Sequence, residues 1–124
     1  MAKQTITYVP QILDLILYAG DGTRFSLTVT DSAKVPINLT GTIIAQIRVE
    51  RDSIDPPSAE FEIDLTNAAS GIVILELTGV KTQQLVVDDA KFTGVWDLQW
   101  TPTDEEPMTL CQGKVECMPD VSRS

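Results

Sequence analysis

A chain of 124 residues with 18 acidic and 9 basic side chains has a formal charge of −9, which repels phosphate backbones and anionic headgroups and argues against nucleic acid or a membrane surface as partner. Histidine is absent, which removes the commonest general base, the usual nucleophilic triads and most zinc sites. With 43% hydrophobic but only 6% aromatic residues, the core falls to Ile, Leu and Val, which favour strands, and the length suits one domain.

The first ten residues, MAKQTITYVP, contain neither an apolar leader nor a small-residue cleavage site. The longest apolar run, ILDLILYAG, is broken by Asp14 and too short for a bilayer. The expectation is a protein made and kept in the cytoplasm, or assembled into something there. Residues 1–11 read either as an arm that docks on another copy or as the first strand of the sheet, and residues 12–124 as the folded domain. Ile6, Tyr8, Val9 and Ile12 are the candidate contact residues.

AGDGTRF, around Gly20 to Gly22, predicts a tight turn. In RFSLTVTD, Phe25, Leu27 and Val29 alternate with polar partners. In GTIIAQIRVE, Ile43, Ala45, Ile47 and Val49 oppose Thr42, Gln46, Arg48 and Glu50, with Ile44 the exception. AEFEIDL sets Ala59, Phe61, Ile63 and Leu65 against Glu60, Glu62 and Asp64. Such period-two alternation predicts half-exposed strands of an antiparallel sheet. GIVILELTG is apolar on both faces apart from Glu76, which predicts a central strand or one whose outer face meets another subunit.

TGVKTQQLVVDDAKF lacks the alternation and predicts a short helical turn around Lys81 to Leu85, within a Greek-key crossover. In GVWDLQW, Val95, Asp97 and Gln99 share one face and Trp96, Leu98 and Trp100 the other, so the tryptophans read as core. Trp100, next to a turn, has room for partial exposure. Turn signals recur about every ten residues, the rhythm of a sandwich or barrel. The whole predicts an all-β, antiparallel, immunoglobulin-like β-sandwich with one short helical turn.

Cys111 and Cys117, in one predicted strand, stand about 20 Å apart at ~3.3 Å per residue, which excludes a disulfide within that strand and predicts free, half-buried thiols. Carboxylate pairs are the remaining catalytic option: Asp52 with Asp55, Asp88 with Asp89, and the run Asp104, Glu105, Glu106. All fall in predicted loops, where acidic residues are ordinarily solvated, and none has EF-hand spacing. The reading is therefore of a protein that is no enzyme, with no catalytic, cofactor or metal site, whose surfaces are its function. The edge residues of ITYVP and VECMP are the candidate joints.

DLILYAGDGTRFSLTVTD, then VPINLTGTIIAQIRVE, ASGIVILELTGVKTQQL, GVWDLQW and the closing LCQGKVECMPDVSRS form a series that resembles the small β-sandwich domain of tailed bacteriophages. That domain occurs in long tail fibre attachment proteins, collar proteins and some minor tail proteins. The likeness spans about residues 12 to 123 and rests on order and spacing; the cysteines, the long segment before Ile12 and IDPPS depart from it. It implies a multi-copy virion protein of the tail or baseplate, assembled in the host cytoplasm, which forms a homo-oligomeric ring and docks tail fibres and other phage tail proteins. Three alternatives carry other expectations, one of them a metal-dependent hydrolase of cell wall, which would require the loop aspartates to bind an ion. A capsid decoration protein would differ in position on the particle, and a carbohydrate-binding module for host recognition would expose Trp96 or Trp100.

Overall fold

The computed structural model describes residues 11–31, 33–51 and 56–119. Two sheets face each other. The larger is built from β1 (Gln11–Ile12), β2 (Leu15–Tyr18), β4 (Thr42–Arg48), β5 (Ala59–Glu60), β8 (Phe92–Thr101) and β9 (Met108–Met118), in the order β1-β9-β8-β4-β5 with β2 also on β9. The smaller has β3 (Thr23–Thr28), β7 (Ile72–Leu77) and β6 (Glu62–Asp64), in the order β3-β7-β6. The pairings are antiparallel except at one edge, where β1 and β2 run parallel to β9. This is an all-β sandwich with a single α-helix, α1 (Gly79–Leu85), among the described residues.

The predicted alternation sets which side chains meet between the sheets. Ile43, Ala45 and Ile47 of β4 lie opposite Trp100, Leu98 and Trp96 of β8, and Leu98 and Trp96 in turn lie opposite Cys111 and Gly113 of β9. Across the core, Val73, Leu75 and Leu77 of β7 are fully buried, and Leu75 pairs with Phe25 on one side and Ile63 on the other. The strand that is apolar on both faces is thus the middle strand of its sheet.

Several expectations change. AEFEIDL is two strands: β5 pairs with β4 in the large sheet and β6 with β7 in the small one, with buried Phe61 at the crossing. Alternation is preserved through such a crossing, because both inner faces look into the same core. The AGDG turn likewise carries the chain from one sheet to the other, so it closes no hairpin. Val49 lies beyond the end of β4 and is exposed, and Trp100 is buried. Both cysteines are free and buried rather than half-buried. VECMP is no edge, since β9 lies between β8 and the β1–β2 pair.

The helix is fastened by Thr82, which is wholly buried. Its hydroxyl accepts the Gly20 amide at 3.1 Å and lies 3.0 Å from the carbonyl oxygens of Asp21 and Gly79, to one of which it donates. The thiol of Cys117 donates to the Thr82 carbonyl at 3.5 Å. One hydroxyl therefore ties the crossover helix to the β2–β3 turn. Thr82→Val keeps the volume but orphans the Gly20 amide, and is expected to cost about 1–3 kcal/mol in urea denaturation, with Thr82→Ser costing less.

Candidate functional site

Three surfaces stand out, and the edge formed by β1 and β2 comes first. Its outer side has no neighbouring strand among the described residues, and Ile12, Ile16 and Tyr18 are 77%, 61% and 54% exposed. These three stand opposite Gln112, Glu116 and Met118, on the face turned away from the core. An open edge combined with apolar side chains is a template for strand addition or side-by-side docking. Of the predicted contact residues, Ile12 is found on this edge; Ile6, Tyr8 and Val9 lie outside the described residues.

The chain between β1 and β2 is held by long-range contacts. The Trp96 indole donates to the Leu13 carbonyl at 2.7 Å, and the Asp14 carboxylate accepts the Lys114 amide at 2.9 Å. Gly113, opposite Trp96, leaves the space for this: a Cβ there would overlap the Leu13 carbonyl oxygen. The core tryptophan thus sets the position of the β1–β2 edge.

The second surface is a concavity of about 510 Å³ on the outer face of the large sheet, with Gln46, Arg48, Arg51 and Asp97 in its lining. Gln46 and Asp97 are direct cross-strand neighbours, and Asp97 in turn neighbours Gln112. The Arg48 guanidinium donates to Gln46 Oε1 at 2.9 Å, and Gln46 Nε2 donates to Glu60 Oε1 at 3.3 Å. Arg51 donates to Gln112 Oε1. Burial pushes the Asp97 carboxyl above the ordinary carboxylate range, while Arg51 and Arg48 pull it back.

The third is a depression of about 170 Å³ on the outer face of the small sheet. Arg24, Glu76 and Glu62 form one cross-strand row, with Asp64 in the next. Hydrogen bonds from the Thr66 hydroxyl and amide hold the Asp64 carboxyl below the usual range, although burial works weakly the other way.

No family model and no curated protein matches the chain. Among solved structures, a mutant of the SrpA adhesin from Streptococcus sanguinis superposes with a TM-score of 0.54 at 11% identity, over 86% of this chain and 55% of that one. The likeness is one of fold. An internalin-like protein of Listeria monocytogenes gives a TM-score of 0.36 at 14% identity, over 90% of this chain and 28% of that one, and carries no argument. The chain spans about half the length of the adhesin chain it resembles.

Among the described residues no group of three or more His, Cys, Asp or Glu side chains could hold a metal ion; Asp52 and Asp55 lie outside them. No helix among them is long and apolar enough to cross a membrane. Both tryptophans are buried, with their indoles bonded to backbone: Trp96 as above and Trp100 to the Thr40 carbonyl at 2.6 Å. Burial also raises both cysteine thiols, partly offset at Cys111 by the Gln112 amide, so they stay protonated near neutrality.

Sequence alone does not reveal the two concavities. Alternation places Gln46 and Asp97 on outer faces, but their pairing depends on the β4–β8 register, which no local pattern encodes.

Proposed function

We propose that this protein is a multi-copy structural protein of a tailed-bacteriophage virion, a collar or minor tail component of the tail or baseplate that forms a ring and docks fibres. The resemblance in strand order and turn spacing supplies the virion context. The observation that carries a docking role is the open β1–β2 edge, where Ile12, Ile16 and Tyr18 face solvent on a strand held from behind by Trp96. An edge fixed in position and apolar on its outer face suits a permanent joint with a neighbouring protein better than a transient encounter. The role is non-catalytic in this reading.

The carbohydrate-binding alternative requires an exposed tryptophan, and it gains little support from Trp96 and Trp100, which are 2% and 3% exposed. The likeness in fold to an adhesin returns nothing to it, since fold does not fix function. Capsid decoration remains a matter of position on the particle.

Antibody-gold labelling of purified particles decides that position. Label at the tail or baseplate is expected. Label over the head would favour decoration, and its absence from particles would overturn the virion reading. Ile16→Asp, on an exposed side chain, is expected to leave the fold intact and to lower incorporation into tails by about tenfold or more, read by the same labelling.

A further inference from the structure

The outer side of β1 and β2 is a continuous template for another strand. Both keep one register on β9, from Gln11 opposite Cys111 to Tyr18 opposite Met118, with no slip between them. The amides of Leu13 and Ala19 donate to β9 carbonyls at 2.8 and 2.9 Å. By the alternation of a strand, those of Ile16 and Tyr18 point to the side that has no neighbour among the described residues. The side chains of Ile16 and Tyr18 stand exposed beside it.

Ten residues of the sequence, MAKQTITYVP, precede Gln11 and lie outside the described residues. β1 runs parallel to β9 and meets it at Cys111, whereas β9 begins at Met108. A chain that led into β1 in that direction would have only Met108, Thr109 and Leu110 of its own β9 beside it. Folding back onto its own edge would need a hairpin turn immediately before Gln11. Val9–Pro10 is unsuited to one, because two-residue hairpin turns need positive φ at one or both central positions, Val is β-branched and Pro is locked near φ of about −65°. The chain has no glycine before Gly20 to relieve this.

Charge points the same way. Residues 1–11 carry a single charge, that of Lys3, while residues 12–124 carry 18 acids and 8 bases, net −10. Bodies so charged repel one another, and a contact made through the first residues brings no carboxylate to a neighbour.

We propose that residues 5–9 of one copy add as an antiparallel strand to the β1–β2 edge of the next. Tyr8 then lies beside Ile16 and Ile6 beside Tyr18, with Thr5, Thr7 and Val9 on the opposite face. Each of the two pairs sets an aromatic ring against a β-branched side chain, a combination that favours strand pairing. Donor segment and acceptor edge are different parts of the chain, so the contact is heterologous, the type that closes into a ring when repeated by rotation. This inference rests on the multi-copy reading above and names the neighbour at that edge as a second copy.

Cysteine cross-linking of the full chain tests it, since both native thiols are buried. Tyr8→Cys with Ile16→Cys, oxidised with diamide, is expected to give a ladder of covalent multimers on a non-reducing gel; neither substitution alone should give a ladder. In sedimentation velocity the wild type is expected to associate. Ile6→Asp with Tyr8→Asp is expected to weaken that association at least about tenfold, with an unchanged far-UV spectrum. A wild type that stays monomeric overturns the inference, as does association unmoved by the two aspartates. A cross-linked product confined to monomer mass also overturns it, because the segment would then cover its own edge, and the absence of any cross-link excludes this pairing. Particle labelling reads position rather than self-contact, so the virion reading stands or falls separately.

Discussion

Trp96→Ala is expected to destabilise the protein by about 3–5 kcal/mol, the cost of truncating a large buried aromatic. Trp96 is almost wholly buried, and its ring contacts Phe25 of β3 and Phe61 of the β5–β6 crossing, with centroids 6.0 and 5.7 Å away. Phe25 and Phe61 themselves meet edge to face at 6.0 Å. The three rings therefore join the large sheet, the small sheet and the strand that passes between them. Offset and edge-to-face pairs add about 0.5–1.5 kcal/mol each beyond area burial. The truncation removes two of these contacts, opens a cavity between the sheets, and leaves the Leu13 carbonyl without its indole donor. Domains of this size are stable by about 5–15 kcal/mol, so much of the total is at stake.

Trp96→Phe separates the two contributions. It keeps a ring in the cluster but removes the indole N–H, and its smaller cost should come with loosening of β1 and β2. Urea denaturation followed by far-UV circular dichroism measures both variants. A loss below about 1 kcal/mol for Trp96→Ala would show that the aromatic cluster is not what couples the sheets.

Gly113→Ala is the second large effect. The added methyl would overlap the Leu13 carbonyl oxygen and press against Asp14. These are backbone and short side-chain atoms that cannot swing aside as the end of a long flexible side chain would. Either the β1–β2 edge moves off β9 or β9 buckles beneath it, and overpacking of this kind costs about 1–3 kcal/mol. The edge is the cheaper element to move, because among the described residues it is bonded to one neighbouring strand only. Amide hydrogen exchange is expected to speed up across residues 11–18 while β4, β7 and β8 keep their protection. Gly22→Ala is the control: its Cβ would come no nearer than 3.7 Å to any neighbour, so its exchange pattern should match the wild type. Uniform acceleration across both sheets in Gly113→Ala would mean that the edge is integral to the core rather than a separable joint.

Much of this architecture is legible in the chain because each strand states its own inside and outside. Ile43, Ala45 and Ile47, or Trp96, Leu98 and Trp100, need only period-two alternation to be assigned to the core, and burial agrees. The helical turn at Gly79–Leu85 shows as a failure of that alternation, and the central place of β7 as an excess of apolar residues. A residue's own side of the backbone is a local property.

Which strand lies beside which is not local, and there the reading from sequence stopped. Alternation continues unbroken through Phe61 although the chain changes sheets there, because the inner faces of both sheets share one interior. VECMP has the pattern of an edge but lies in the middle of its sheet, covered by a parallel strand about a hundred residues earlier in the chain. The meeting of Gln46 with Asp97 and of Trp96 with the Leu13 carbonyl depends on pairing between segments far apart in the chain. By itself the sequence determined the two-layered all-β class and the buried set, because the hydrophobic effect acts on each residue's alternating direction. Only the tertiary structure decided the order and register of strands, and with them the β1–β2 edge and the two surface concavities, because hydrogen bonds between distant segments select a neighbour that no short window contains.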